Sequence, residues 1–259
     1  INQLGYLVVT LYLARLIGPE GFGLIGMLTV FMLLADSVIN SGFSQALIQK
    51  SHTVTEEDAS TIFYVSLFLG LIIYLSLYFT APFIAAFYKQ PMLVDISQIL
   101  FTVILINSFS VVTRAKLTIN IDFRSQAIAG SISVIFSSAI ALYLAFKGYG
   151  LWALVWLIVL KAILSNLTLW FFCRWHPKLL FSKQSFLGLF KFGSNLMLAG
   201  FGATLLNNLY LVLIGRYFNA ASVGYYTQST NLSNFLSTFI TSTLQSVTYP
   251  IMTSIKEDK

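Results

Sequence analysis

The sequence predicts an all-α polytopic membrane protein, and three observations carry that expectation. The 259-residue chain is 57% hydrophobic and only 9% charged, whereas soluble domains carry about 25% charged residues. Long stretches have no charge at all: Ala59–Tyr88, Ser125–Phe146, Phe192–Gly215 and Tyr217–Ile255. The chain also holds 23 Phe, 13 Tyr and 4 Trp, the side chains that face lipid and populate membrane interfaces.

A spanning helix needs about 20 mostly apolar residues, and the pattern places eight spans at 1–17, 21–47, 60–88, 92–115, 126–147, 149–173, 186–215 and 221–255. The first two are separated by "RLIGPEGFG", Arg15 to Gly23. Gly18 breaks one helix, Pro19 opens the next, and Glu20 lies at its positive end. The third starts behind Thr55, a capping hydroxyl, with Glu56, Glu57 and Asp58 in the first turn. Pro82 lies late in this span and is expected to kink it. "RAKLTINIDFR", 114–124, reads as the loop between spans four and five, "KGYG" as the turn between five and six, and "CRWHPKLLFSKQS" as the connection to span seven.

Loop charge orients the chain. The ends after spans two, four, six and eight hold Lys50, Arg114, Lys116, Arg124, Arg174, Lys178, Lys183, Lys191, Lys256 and Lys259, ten cations against four (Arg15, Lys89, Lys147, Arg216) on the other side. The positive-inside rule makes the ten-cation side cytoplasmic. A net charge of +6 spread along loops forms no stripe for nucleic acid. One cysteine, Cys173, and two loop histidines, His52 and His176, provide neither a disulfide nor a metal cluster. No phosphate-binding glycine loop, and no nucleophile beside a base, points to an enzyme or a cofactor. The chain starts at Ile1 without a basic leader, and its first apolar run is short. The expectation is a fragment beginning inside its first helix.

A weak internal repeat matches "RLIGPEGFGLI" (15–25) to "RYFNAASVGYY" (216–226), aligning Arg15 with Arg216 and Gly23 with Gly224. Six spans separate the copies. That spacing predicts a parallel repeat of two six-span bundles, with residues 1–180 forming the first bundle and 181–259 the truncated start of the second.

Ionisable residues inside spans are functional candidates. Lys161 sits mid-span and reads as a cavity cation for an anionic substrate, or as half of a structural ion pair. Asp36 shares a helix face with Asn40 and Ser44; packing, ion coupling and pairing with Lys161 all remain open for it. Arg15 and Arg216 read either as interfacial anchors or as two guanidiniums gripping phosphate oxygens from the two bundles. Asn207 and Asn208 are candidate cleft-lining residues. Arg114, Lys116 and Arg124 read as topology determinants or lipid-headgroup contacts.

The stretches "ARLIGPEGFGLIGMLTVF" (14–31), "DSVINSGFSQALIQK" (36–50), "KFGSN" (191–195) and "LIGRYFNAASVGYYTQS" (213–229) resemble the polysaccharide transporter family of the MOP exporter superfamily, the Wzx-type O-antigen and capsule flippases. The resemblance implies a two-bundle transporter in the bacterial cytoplasmic membrane that flips an undecaprenyl-diphosphate-linked oligosaccharide by alternating access. It also implies cationic cavity residues for the diphosphate, and antiport driven by H+ or Na+. Its expected partners are the lipid-linked glycan, membrane lipids, a polysaccharide polymerase and chain-length proteins. Relatives often carry an acid where Tyr210 stands, a departure from the pattern. The alternatives are a multidrug/cation antiporter of the related MATE branch, which favours acidic cavities, and a membrane glycan polymerase or ligase, which needs a large external loop.

Overall fold

The computed structural model describes residues 2–50 and 54–237, and every regular element among them is a helix. His52, Lys256, Lys259 and the later half of the eighth expected span lie outside the described residues. The elements are α1 (Asn2–Ile17), α2 (Pro19–Gln49), α3 (Glu56–Tyr88), α4 (Leu93–Leu100), α5 (Thr102–Ser108), α6 (Val111–Ile119), α7 (Phe123–Phe146), α8 (Leu151–Cys173), α9 (Lys183–Tyr217) and α10 (220–237). Five helices are each long and apolar enough to cross a membrane, and the bent α4–α6 segment makes a sixth. The protein is a multi-pass membrane protein.

Local chemistry sets the ends of these helices. Gly18 adopts φ 82°, in the left-handed region, and Pro19 is in the first turn of α2. Glycine takes that conformation without a Cβ penalty, so the chain reverses there without strain. Thr55 forms a reciprocal capping box with Asp58: the Asp58 backbone N–H donates to the Thr55 hydroxyl at 3.1 Å, and the Thr55 N–H donates to the Asp58 carboxylate at 3.2 Å. α3 runs through Pro82 without interruption. Asp122 caps α7 by accepting from the Ser125 backbone N–H at 3.0 Å and from its hydroxyl at 2.6 Å. The same bonds from Ser125 hold the Asp122 carboxyl below its usual range.

The fourth span departs from the continuous helix the sequence suggests. It bends by 42° between Leu93–Ser108 and Val111–Ile119. Around the break, Ser108 and Ser110 donate their hydroxyls to the carbonyls of Leu105 and Asn107 at 2.7 and 3.0 Å. Such back-bonding competes with the helix ladder and bends it. α8 satisfies the carbonyls at the bend: Asn166 Nδ2 donates to Ile106 O at 2.7 Å, and Trp170 Nε1 to Phe109 O at 3.1 Å. Broken helices survive in a bilayer when neighbours satisfy the freed backbone in this way. The expected loop at 114–124 is also corrected. α6 continues through Ile119, so Arg114 and Lys116 are helical and the turn to α7 is short.

A large core joins α1, α2, α4, α5 and α8 around Leu13, Leu28, Phe101 and Leu157. A second core lies at the Gln49 end of α2, where Phe43, Ile62, Val112, Trp175 and Leu189 pack together. Phe79, Phe83, Phe171 and Leu206 are exposed, as lipid-facing side chains are. The connection between α8 and α9 is pinned to α3: the Lys178 N–H donates to the Ser60 hydroxyl at 3.1 Å, and the Ser182 N–H to the Thr61 hydroxyl at 3.0 Å. Beside it, Glu56 accepts from Lys116 Nζ at 2.6 Å and from Trp175 Nε1 at 2.8 Å, while Lys116 lies 4.7 Å from the Trp175 ring centroid.

Candidate functional site

A cavity of about 650 Å³ lies between α1, α2, α5, α6, α8 and α10. Each wall follows from helix periodicity. On α2, Gly26, Thr29, Leu33 and Asp36 recur at the spacing of one helix face. On α10, Thr227, Asn231 and Asn234 do the same, with Gln228 beside them. Asn107 on α5 and Arg114 on α6, seven residues apart, face the cavity on either side of the bend. α1 adds Tyr6 and Thr10, and α8 adds apolar side chains such as Leu157. Amides and hydroxyls therefore line an otherwise greasy chamber.

The charges in this chamber are sparse and unevenly satisfied. Asp36 accepts a hydrogen bond from the Asn40 amide, the partner that their i, i+4 spacing suggests. Arg114 and Asp36 interact electrostatically, yet among the described residues the ion pair within 4 Å is Lys116–Glu56. Among the described residues, Nε of Arg114 is buried with no partner, as are Thr227 Oγ1 and Gln228 Nε2. Buried donors are normally satisfied, and these three atoms all belong to residues of the cavity wall. Among the described residues, no cluster of His, Cys, Asp or Glu could hold a metal ion.

Of the residues singled out from sequence, Asp36 lines the cavity. Lys161 sits one layer back, its Nζ 4.0 Å from the ring centroid of Tyr6, and Tyr6 forms part of the wall. Lys161 makes no ion pair with Asp36. Arg15 is exposed at the end of α1. Arg216 donates to Phe87 O at 2.7 Å and lies 5.1 Å from the Phe87 ring centroid, at the far end of α3. Asn207 is exposed, and the Asn208 amide donates to Thr204 O at 2.8 Å along its own helix. Arg114 is the cavity residue that sequence reasoning placed elsewhere. Its spacing from Asn107 was the available signal.

A family model described as "Polysaccharide biosynthesis protein" matches residues 12–259. The chain belongs to the polysaccharide biosynthesis protein family. Among curated relatives, the succinoglycan biosynthesis transport protein ExoT of Rhizobium meliloti (strain 1021) is 25% identical over 95% of this chain and 50% of its own length. The teichuronic acid biosynthesis protein TuaB of Bacillus subtilis (strain 168) is 28% identical over 76% of this chain and 41% of its own. The chain thus spans about half the length of the family members it matches. Among solved structures, an inward-facing multidrug resistance MATE transporter of the MOP superfamily superposes with a TM-score of 0.63 at 16% identity, covering 91% of this chain and 58% of that one. The chain shares the fold of that transporter over the covered part, in keeping with the all-α membrane fold expected from the sequence.

Proposed function

We propose that this chain is part of a flippase that moves a polyprenyl-diphosphate-linked oligosaccharide across the bacterial cytoplasmic membrane by alternating access. The observation that carries the reading is Arg114: a guanidinium in a membrane cavity, with a buried donor that has no partner among the described residues. An intramembrane cation facing a polar cavity marks a substrate path, and the planar donor fork of arginine matches phosphate oxygens. The amide and hydroxyl faces of α2 and α10 offer sugar hydroxyls both donors and acceptors. Relatives named for succinoglycan transport and teichuronic acid biosynthesis support a glycan as cargo. In this reading residues 1–180 form the first bundle and 181–259 begin the second. Asp36 is the candidate for H+ or Na+ coupling, and Lys161 acts on the cavity through Tyr6. A cation antiporter of the multidrug branch is less well supported, because Arg114 offsets the one carboxylate lining the described cavity.

The test is accumulation of the lipid-linked glycan in cells lacking the full-length protein. Its glycan should remain on the cytoplasmic side in right-side-out vesicles, shielded from an impermeant glycosidase. Complementation by wild type, and failure of Arg114→Ala at equal protein levels, is the expected pattern. Undiminished surface glycan in the deletion strain refutes the proposal.

A further inference from the structure

The two glycines aligned by the internal repeat meet in space. A Cβ placed on Gly23 would lie 1.7 Å from Ala220 O, and one placed on Gly224 would lie 2.0 Å from Pro19 O and 3.1 Å from the Gly23 N. The N-terminal ends of α2 and α10 therefore touch backbone to backbone, at a distance no other residue type permits. One turn further along, a Cβ on Gly26 would lie 2.7 Å from Thr227 Oγ1 and 3.0 Å from Val223 Cγ1. The seam extends to α9, where a Cβ on Gly215 would lie 2.7 Å from the Tyr88 ring and 3.2 Å from Met27 Cγ. Next to it, Arg216 is tied to the carbonyl and the ring of Phe87. All of these contacts join α2 or α3 to α9 or α10, and the cavity begins at their foot, where Gly26 and Thr227 are also wall residues.

We infer that this glycine seam is the outer gate of the transport path, and that Arg216 is its latch. The seam seals the end of the molecule that the loop charges place outside, without a single side chain between the backbones of Gly23 and Gly224. Contacts of this kind are all-or-none, because any added methyl group forces the helices apart. Arg216 adds a charge-assisted hydrogen bond to a carbonyl plus a ring contact, both lost when α9 moves away from α3. Arg216 thus acts on access to the cavity as a positioning residue and does not touch the cargo. The inference rests on the alternating-access reading above.

The experiment uses the full-length protein in a cysteine-free background, with Asn107→Cys as reporter inside the cavity. Intact cells are exposed to an impermeant maleimide from outside. Gly23→Ala, Gly26→Ala and Arg216→Ala should each raise the labelling rate several-fold relative to the parent. Adding Val223→Ala and Thr227→Ala to Gly26→Ala removes the atoms its methyl group would strike, and should restore slow labelling. Unchanged labelling in correctly inserted Gly23→Ala and Gly26→Ala proteins overturns the gate, as does labelling of Gly26→Ala that the compensating pair fails to slow. Unchanged labelling in Arg216→Ala removes the latch. The readout needs no glycan, so normal gating without export would sink the flippase reading and leave the gate standing.

Discussion

Substituting Arg114 by lysine and by glutamine separates charge from geometry in the cavity. A guanidinium holding a diphosphate forms two parallel charge-assisted hydrogen bonds. Each is worth about 1.5–3 kcal/mol net, and about 1.4 kcal/mol is a tenfold change in affinity. Lysine keeps the charge and offers one bond in place of two, so Arg114→Lys is expected to weaken binding by about 10- to 150-fold. Glutamine removes the charge and both charged bonds, for a loss of about 3–6 kcal/mol, or roughly 150-fold and upward. The buried Nε is why the loss should be large: among the described residues no protein group bonds to it. Asp36 should act in the opposite sense, since its carboxylate repels an anion, and Asp36→Asn is expected to tighten binding several-fold. The assay is titration of the full-length protein in lipid nanodiscs with undecaprenyl diphosphate, reading Kd. Wild-type affinity in Arg114→Gln would refute the role, and equal affinity in Arg114→Lys would refute bidentate geometry.

Three other outcomes follow from the same physics. Gly70→Ala places a Cβ 2.7 Å from the Ser108 Cβ, so overpacking between α3 and α5 should cost about 1–3 kcal/mol; a thermal unfolding midpoint equal to wild type in detergent would contradict this contact. Glu56→Gln loses its ion pair with Lys116, whose carboxylate partner is 47% exposed, and should cost only about 1 kcal/mol or less. Glu56→Ala loses the Trp175 indole bond as well and should cost about 1 kcal/mol more, resolved as two distinct unfolding midpoints. Lys178 and Lys147 lie at opposite ends of the spans, so in intact cells Lys147→Cys should react with an impermeant thiol reagent and Lys178→Cys should not; the reverse pattern would invert the topology.

Helix ends were legible because their determinants are local. Gly18 with Pro19, and Thr55 with Asp58, decide their turns within four residues. Asp36 with Asn40 was equally readable, since one helical turn brings them together. The aligned Gly23 and Gly224 needed a repeat to be noticed, and the structure supplies the reason for the match: both stand where two helices meet. Arg114 was misplaced for a nonlocal reason. Beside Lys116 it looked like loop charge, but α6 continues because Asn166 and Trp170, far along the chain, satisfy the carbonyls at the preceding bend. Lys161 shows the same limit. Its place mid-span announced that it is enclosed, and only the packing of α1 reveals that Tyr6 stands between it and the cavity.

The pinned connection between α8 and α9 fixes where α9 begins. Its backbone is held at Lys178 and Ser182 by hydroxyls of α3, and Trp175 is sunk in the same corner. The connector is therefore fixed to α3 rather than slack between α8 and α9. α9 starts at the Ser182 cap, where the side chain receives the Ser185 N–H at 3.2 Å. A longer or looser connector would leave the start of α9 without this anchor on α3. Anchored as it is, the joint is closer to a rivet than to a tether.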